Sequence, residues 1–282
     1  MKRWYMVIDV ETCENCNNCF LSCKDEHCGN DWPGYAASQP LHGQRWMNIR
    51  RRERGRFPFV DVAYLPSPCM HCDDPPCQRA AENDTVVKRP DGIVLIDPHK
   101  AQGQKALVEA CPYGAIWWNE KERIPQKCTL CAHLLDTGWK QPRCVQACPT
   151  GALTVQLLEA QEMQKLADDQ GLAVINRGDP PARPSVYYRN LYRFQMCFIA
   201  GSLARDSDGQ SDCVADAMIR LYRNGALLKK AVSDDFGDFK FDGLPPNSGT
   251  YSIEIDCQGR PCRELDVLVE GKASCSLGTI WI

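Results

Sequence analysis

The first cysteine-rich segment of the chain has a spacing suited to an iron–sulfur cluster. It reads Cys13-x2-Cys16-x2-Cys19-x3-Cys23, with Lys24 where such motifs usually have proline. Three thiolates at this spacing can ligate three corners of one cubane, while the fourth points to a neighbouring cluster, as in bacterial two-cluster ferredoxins. The run therefore predicts a cluster on Cys13, Cys16 and Cys19, with Cys23 as a ligand to another.

Two further groups of cysteines follow the first. The second group has three local cysteines and a distant fourth candidate, and the third group has a long insertion between its second and third members. Cys111 and Cys148 are each followed by proline, the ending expected of a ferredoxin motif, because proline fixes φ and lacks a competing backbone donor. The members are Cys69, Cys72, Cys77 and Cys111 in the second group, and Cys128, Cys131, Cys144 and Cys148 in the third.

An internal repeat supports a ferredoxin-like fold. Residues 111–116 and 148–153 share the pattern Cys-Pro-x-Gly-Ala-aliphatic, and a strand-like stretch follows each. Strand-like segments also occur at residues 6–10 and 93–96. The alternation of strand, cysteine loop and short helix predicts an α+β, ferredoxin-like iron–sulfur domain.

The number of motif cysteines predicts three [4Fe-4S] clusters, because each cubane takes four thiolates. Exchange of fourth ligands between distant motifs, as in ferredoxins, defines the sets. Zinc is the alternative for Cys-x2-Cys pairs, but a four-cysteine run and two Cys-Pro endings favour iron. The predicted sets are Cys13, Cys16, Cys19 and Cys148; Cys69, Cys72, Cys77 and Cys111; and Cys128, Cys131, Cys144 and Cys23.

Composition narrows the class of protein. The chain has 282 residues, 18 cysteines and a formal charge of −3, so two domains are expected and nucleic acid is not an expected partner. The N-terminus has neither a hydrophobic signal core nor a twin-arginine pair, which favours metal ligation over a secreted disulfide framework. No apolar run approaches the ~20 residues of a membrane span. We therefore expect a cytoplasmic protein with no membrane span of its own.

The C-terminal part of the sequence predicts a separate all-β domain. A helix is expected at residues 156–170 and a proline-rich linker at 178–184, which gives a ferredoxin-like domain at 1–195 and a β-sandwich or barrel at 196–282. Residues 237–245 and 251–255 resemble prealbumin-like or adhesin-B-type repeats. Seven short strands are predicted, at residues 197–203, 217–222, 227–232, 239–241, 251–255, 265–269 and 279–282.

The remaining cysteines and basic residues have modest predicted roles. Cysteines without ligand spacing are expected to pack as small apolar side chains, although a Cys257–Cys262 disulfide stays an alternative. The arginine-rich run at 50–56 predicts a solvated or ion-paired loop, or a contact with an acidic partner face. His71 is either a donor to a cluster sulfur or an ordinary loop histidine. Trp117 and Trp118 are expected to shield a cluster. The cysteines without ligand spacing are Cys28, Cys197, Cys213, Cys257, Cys262 and Cys275.

The cysteine motifs together resemble the iron–sulfur subunits of molybdenum enzymes of the dimethyl-sulfoxide-reductase type. Those subunits usually have four motifs and four clusters, and this chain lacks the cysteines of one cluster between Cys77 and Cys111. The resemblance implies an electron-transfer role beside a large catalytic partner chain that binds molybdenum and molybdopterin guanine dinucleotide. With no nucleophile elbow, phosphate loop or zinc-protease motif in the sequence, we expect no catalytic residue on this chain.

Within this family the sequence is similar to small subunits of transhydroxylases that act on polyphenols, over nearly the whole chain. This implies a heterodimer, or a higher assembly, whose substrate is a hydroxylated aromatic. The alternatives are the small subunit of a phenol hydroxylase or reductive dehydroxylase, a free polyferredoxin, and a respiratory subunit with a membrane-bound partner. The similar stretches are residues 5–10, 32–35, 45–49, 91–98, 127–135 and 187–194.

Overall fold

The computed structural model describes residues 1–207, 209–257, 260–271 and 273–282. The chain folds as two compact units, each made of two segments. The first unit is Met1–Arg50 with Tyr64–Leu191, and the second is Arg51–Ala63 with Tyr192–Ile282. The boundary predicted from the sequence, between residues 195 and 196, lies close to Tyr192.

The first unit contains short strands and helices connected by long loops. Two of its strands, β2 and β3, form a hairpin whose tip belongs to the second unit. The elements up to the end of this unit are β1 (Arg3–Asp9), α1 (Asn18–His27), β2 (Asn48–Arg56), β3 (Phe59–Ser67), α2 (Pro76–Arg79), β4 (Val86–Lys88), β5 (Val94–Ile96), α3 (Ala106–Glu109), β6 (Trp117–Asn119), β7 (Ile124–Gln126), α4 (Ala132–Asp136), α5 (Arg143–Gln146), β8 (Leu153–Leu158), α6 (Ala160–Gln170) and β9 (Val186–Arg189).

A three-stranded sheet of order β8-β1-β9 organises the first unit. β1 pairs antiparallel with β8 and parallel with β9. Met163 and Ala167 on α6 pack against Tyr5 and Val7 of β1. Because the first and last cysteine motifs adjoin β1 and β8, the pairing of these strands brings together segments far apart in sequence.

The helix predicted at residues 156–170 begins later than expected. Residues 156–158 continue β8, because they pair with Arg3, Trp4 and Tyr5 of β1. The helix starts at Ala160 after a capping box, in which the side chains of Glu159 and Glu162 each bond the other residue's backbone N–H. Strand pairing therefore overrides the helical spacing of the apolar residues at this point.

The arginine-rich run is a strand, which corrects the predicted loop. Residues 50–56 lie in β2, paired with β3. Arg51 and Glu53 form an exposed ion pair, whereas the side chain of Arg54 is fully buried and paired with Asp61 and Asp242. The ion-paired interpretation of this run is therefore correct for Arg54, although the run has regular secondary structure.

The second unit contains two four-stranded sheets around one hydrophobic core. One sheet has the order β11-β10-β14 with β17 paired to β10, and the other has the order β13-β12-β15-β16. Ile199, Phe241, Ile219 and Ile253 are among the buried core residues, and they come from both sheets. The elements are α7 (Tyr192–Gln195), β10 (Cys197–Ser207), β11 (Gln210–Cys213), β12 (Met218–Arg223), β13 (Ala226–Val232), β14 (Asp238–Leu244), β15 (Gly249–Cys257), β16 (Arg260–Val269) and β17 (Cys275–Trp281).

The described part of this unit has one strand more than the seven predicted. The additional strand, β11, is Gln-Ser-Asp-Cys and fully exposed, so no alternation of apolar and polar residues marks it. By contrast, Asn224 and Gly225 form the two-residue turn between β12 and β13 with φ of 52° and 77°. Asn-Gly favours such hairpin turns because both positions require positive φ.

Candidate metal centres

The twelve motif cysteines fall into three groups. Within each group, the charge of one thiol shifts the pKa of others. All twelve are free thiols. That each group holds one cluster stays a prediction, and we name the groups after the predicted ligand sets. We call them centre 1 (Cys13, Cys16, Cys19 and Cys148), centre 2 (Cys69, Cys72, Cys77 and Cys111) and centre 3 (Cys23, Cys128, Cys131 and Cys144).

Centre 1 is built from the loop after β1, the start of α1 and the segment after α5. Asn15 and Asn17 have φ of 56° and 61°, a left-handed conformation that asparagine tolerates better than most residues. These turns let the loop coil back on itself. Cys19 is buried on α1, whereas Cys16 is exposed. Burial, followed by the charges of Cys13, Cys148 and Cys16, raises the pKa of Cys19 to about 12.

Centre 3 shares two helices with centre 1. Cys19 and Cys23 lie one turn apart on α1, yet they belong to centres 1 and 3. Cys144 of centre 3 lies on α5, which contacts α1, and Cys148 of centre 1 follows that helix. Each helix therefore contributes to both centres. This is the geometry that an exchange of fourth ligands requires.

The cysteines of centre 2 surround a small cavity. All four of its cysteines line the cavity, together with Lys127. Burial is the largest cause that raises the pKa of Cys72, and the charges of the three other thiols raise it further. Burial also raises the pKa of Cys77 to about 12.

Two thiols of centre 3 respond to the charges of thiols in the other two centres. The charge of Cys69 in centre 2, second only to burial, raises the pKa of Cys128, which is about 11. On the other side, the charge of Cys19 in centre 1 contributes to the raised pKa of Cys144. Thiols of centre 3 therefore lie close to thiols of both other centres.

Backbone N–H groups are directed at the sulfurs of centres 2 and 3. The N···S distances are 3.5 Å from His71 to Cys69 and 3.4 Å from Ala115 to Cys111. A third N–H, of Leu130, lies 3.3 Å from the sulfur of Cys128. Hydrogen bonds to sulfur stabilise thiolates and tune the potential of an iron–sulfur cluster.

The thiol groups fit iron–sulfur clusters in their chemistry. A bound metal ion deprotonates the thiols that ligate it, so buried thiols whose pKa is raised in the absence of metal are compatible with cluster ligation. Among the described residues, no three His, Cys, Asp or Glu side chains are arranged around one metal ion. A single zinc requires its thiolates about 2.3 Å from one centre, whereas a cubane distributes four thiolates over four irons.

His71 presents a buried nitrogen toward the interior near centre 2. Its Nδ1 accepts a hydrogen bond of 3.0 Å from the N–H of Val94, so Nε2 carries the ring proton. That Nε2 atom is buried and has no partner within the described part of the chain. Burial, followed by the charges of Lys127 and Lys88, lowers the pKa of His71 well below its ordinary value, so the ring is neutral.

Two neighbours of the centres were not identified from the sequence. Gln39 lies 3.9 Å from the sulfur of Cys23, and no spacing signal links it to the motifs. Lys127 is buried beside centres 2 and 3. Its position directly before Cys128 is the signal that could have identified it.

Four cysteines outside the predicted ligand sets have surroundings that the structure describes. Cys197 is buried in the core of the second unit, and Cys213 is exposed. Cys275 lies with its sulfur 3.2 Å from the carbonyl oxygen of Leu268, and Cys28 is half-buried after α1. The side chains of Cys257 and Cys262, the alternative disulfide, lie outside the described residues.

Trp117 and Trp118 are the residues predicted to shield a cluster. Both tryptophans are half-buried on β6, and Lys105 lies over the ring of Trp118. The shielding role predicted for them stays a prediction.

In the part of the chain that the structure describes, no helix has the length and apolar character needed to cross a membrane.

Comparison with known proteins defines the class. The family model for a 4Fe-4S dicluster domain matches residues 60–158, which include all of centre 2 and most of centre 3. The predicted iron–sulfur class is therefore confirmed.

Individual relatives define the family more closely. The chain is 46% identical to the pyrogallol hydroxytransferase small subunit of Pelobacter acidigallici, over 99% of each chain. A sulfite dehydrogenase subunit from Allochromatium vinosum is 34% identical, over 54% of this chain and 68% of that protein. The chain belongs to the family of pyrogallol hydroxytransferase small subunits, which confirms the resemblance seen in the sequence.

Solved structures add little to this assignment. A minor pilin of Streptococcus agalactiae matches with a TM-score of 0.25 and 16% identity, over 34% of this chain and 47% of that one. A similarity this low carries no argument about the fold. The assignment of the second unit as mostly β comes from its own strands.

Proposed function

We propose that this chain is the electron-transfer small subunit of a molybdenum enzyme that acts on hydroxylated aromatics. Three [4Fe-4S] clusters are held, one at each centre, with the four thiolates of that centre as ligands. The observation that carries the proposal is that thiols from distant motifs lie close enough to shift one another's pKa values. The relationship to a pyrogallol hydroxytransferase small subunit supports the substrate class.

The catalytic chemistry belongs to a partner in this proposal. A large partner chain holds molybdopterin guanine dinucleotide and molybdenum and contains the active site, and the two chains form a cytoplasmic heterodimer. Residues 1–195 are the ferredoxin-like domain that holds the clusters. Residues 196–282 form an all-β sandwich or barrel of prealbumin-like or adhesin-B-like type.

When bound, the clusters supply one-electron transfer between the partner's molybdenum and the surface. The residues of this chain determine how that transfer proceeds. Because thiols of centre 3 lie close to those of both other centres, its cluster is the middle one in the proposed path of electron transfer. Centre 2 nevertheless comes second along the sequence. Exposed Cys16 places centre 1 nearer the protein surface than buried Cys131 places centre 3. The N–H groups of His71, Ala115 and Leu130 donate to cluster thiolates, which stabilises them.

The test is anaerobic purification of the tagged chain from cells that also express its neighbouring reading frames. We expect a large molybdenum-containing chain to co-elute with it. Substrate or dithionite should then produce the electron paramagnetic resonance signals of reduced [4Fe-4S] clusters. Elution of an iron-containing chain with neither molybdenum nor a partner would instead favour a free polyferredoxin.

A further inference from the structure

Lys127 is a cation buried between two of the centres. It is 3% exposed and lines the cavity that the four cysteines of centre 2 surround. Its Nζ donates to the carbonyl oxygen of Val94 and, at 3.1 Å, to that of Cys128, a ligand of centre 3. Lys127 therefore lies beside centre 2, and its ammonium group is hydrogen-bonded to the carbonyl oxygen of Cys128 in centre 3.

This ammonium group has neutral partners only. In the part of the chain that the structure describes, no carboxylate lies within ion-pairing distance of it. Burial of an ammonium group costs several kcal/mol unless an opposite charge compensates it. Lys88, also near centre 2, shows the ordinary solution, because its Nζ lies 2.7 Å from the carboxylate of Asp73.

We propose that Lys127 is a shared counter-charge for the clusters at centres 2 and 3 and raises the reduction potential of both. The proposal rests on the proposed function, since it requires clusters at these centres. A cluster with four thiolate ligands is anionic and becomes more so on reduction. A nearby fixed positive charge therefore stabilises the reduced state more than the oxidised state.

The electrostatics of the thiols agree with this position. Burial is the largest influence on the thiols of Cys72, Cys77, Cys111 and Cys128 and raises their pKa values, whereas the charge of Lys127 opposes that rise. The influence reaches members of both centres. The shifted thiols of centre 1, Cys13 and Cys19, respond chiefly to burial, to backbone hydrogen bonds and to the charges of other thiols in the same centre. Centre 1 is therefore an internal control.

The experiment compares Lys127→Met and Lys127→Gln with wild type in the anaerobically purified complex. Dithionite redox titration followed by electron paramagnetic resonance gives the midpoint potential of each cluster. We expect the reduction equilibrium constants of centres 2 and 3 to fall about tenfold in the variants, which is about 59 mV for a one-electron couple. The potential of centre 1 should not change.

Two further variants separate charge from packing. Lys127→Arg keeps the charge and should keep wild-type potentials. Lys88→Met removes a lysine that Asp73 already neutralises, so its shift should be smaller than that of Lys127→Met. If neutral variants lose iron from centres 2 and 3 while Lys127→Arg retains it, the requirement for charge is also supported.

Two results would overturn the inference. One is unchanged potentials in iron-replete neutral variants, and the other is loss of iron from Lys127→Arg as complete as from Lys127→Met. Failure of the proposed function is distinguishable, because it appears in the wild-type preparation itself, as absence of the cluster signals or of the molybdenum-containing partner, before any variant is compared.

Discussion

Both units of the molecule bury a cationic side chain, and they differ in how it is neutralised. In the second unit, Arg54 forms two hydrogen bonds of 2.8 and 2.9 Å with the carboxylate of Asp242, and it also pairs with Asp61. In the first unit, Lys127 reaches only carbonyl oxygens among the described residues. Carboxylates thus compensate the buried charge of Arg54, whereas under the proposed function the anionic clusters of centres 2 and 3 compensate the charge of Lys127.

The thiols differ between the units in the same way. Cys197 of the second unit is buried among Ile199, Phe241 and other apolar side chains, as a small hydrophobic residue would be. Cys69 and Cys128 of the first unit accept backbone hydrogen bonds and lie near other thiols. A buried cysteine is thus a ligand candidate when donors and further thiols converge on it, and burial alone does not distinguish the two.

The largest expected effect is loss of ordered structure in one unit when the iron is removed. Under the proposed function, the free energy of cluster binding contributes to the folding of the first unit, because each cluster holds segments that are distant in sequence together. After chelation, we expect hydrogen exchange to show amide protection lost around residues 13–23 and 69–77. Protection of β12 and β15 should remain. Equal loss in both units would show that they do not differ in this way.

A single ligand substitution should remove one cluster and leave the others. Cys72→Ser takes one of four thiolates from centre 2, so we expect iron content to fall by about one third. The matched control is Cys213→Ser, at an exposed cysteine of the second unit, and it should keep the full iron content. Iron analysis measures both. Full iron content in Cys72→Ser would remove Cys72 from the ligand set.

Substitution of Arg54 should destabilise the second unit strongly. Arg54→Met leaves Asp61 and Asp242 with less compensation, and removal of one partner of a buried ion pair costs about 3–5 kcal/mol. Arg51, exposed beside Glu53, provides the control, since Arg51→Ala should cost less than about 1 kcal/mol. Hydrogen exchange of β12 amides reports the free energy of unfolding. Similar values for the two variants would contradict the role given to Arg54.

Acid should weaken the second unit through Asp61. Burial alone would raise the pKa of Asp61, but hydrogen bonds from Arg54 and Arg193 outweigh it and lower the pKa from 3.8 to about 2. A carboxyl with a depressed pKa contributes stability above its ordinary value and loses it as pH falls toward the folded-state value. We expect about 1–2 kcal/mol to be lost between pH 4 and about pH 2.

The control for this acid effect is Asp61→Asn. The variant should be less stable at neutral pH, because one of the two carboxylates that pair with Arg54 is gone. It should, however, lose less stability on acidification. Hydrogen exchange of the same β12 amides at several pH values measures the slope. Equal slopes for wild type and variant would assign the acid loss to other groups.

Local patterns in the sequence predicted much of the fold. Cysteine spacing predicted the iron–sulfur class, because runs of closely spaced cysteines are typical of ferredoxin motifs, and the three ligand sets stay a prediction. The Asn224-Gly225 turn was likewise readable, since its backbone conformation depends on two residues. The iron–sulfur class and the relationship to molybdenum-enzyme subunits are confirmed by the comparisons.

The features that the sequence did not predict depend on contacts between segments that are distant along the chain. Arg54 becomes a buried strand residue because Asp242, 188 positions along the chain, supplies its counter-charge. Leu157 lies on a strand because it pairs with Trp4. The side-chain amide of Gln39 lies near the sulfur of Cys23 in the folded chain. No spacing of residues in the sequence predicts this contact. Each of these depends on tertiary pairing, which residue patterns within a short window cannot contain.

Iron and acid-labile sulfide per chain, measured on anaerobically purified protein, test the central claim most directly. Three cubanes predict about twelve of each per chain, because each cluster contains four irons and four sulfides. Zinc in place of iron, or about eight irons in protein with all twelve thiols protected from alkylation, would contradict the account.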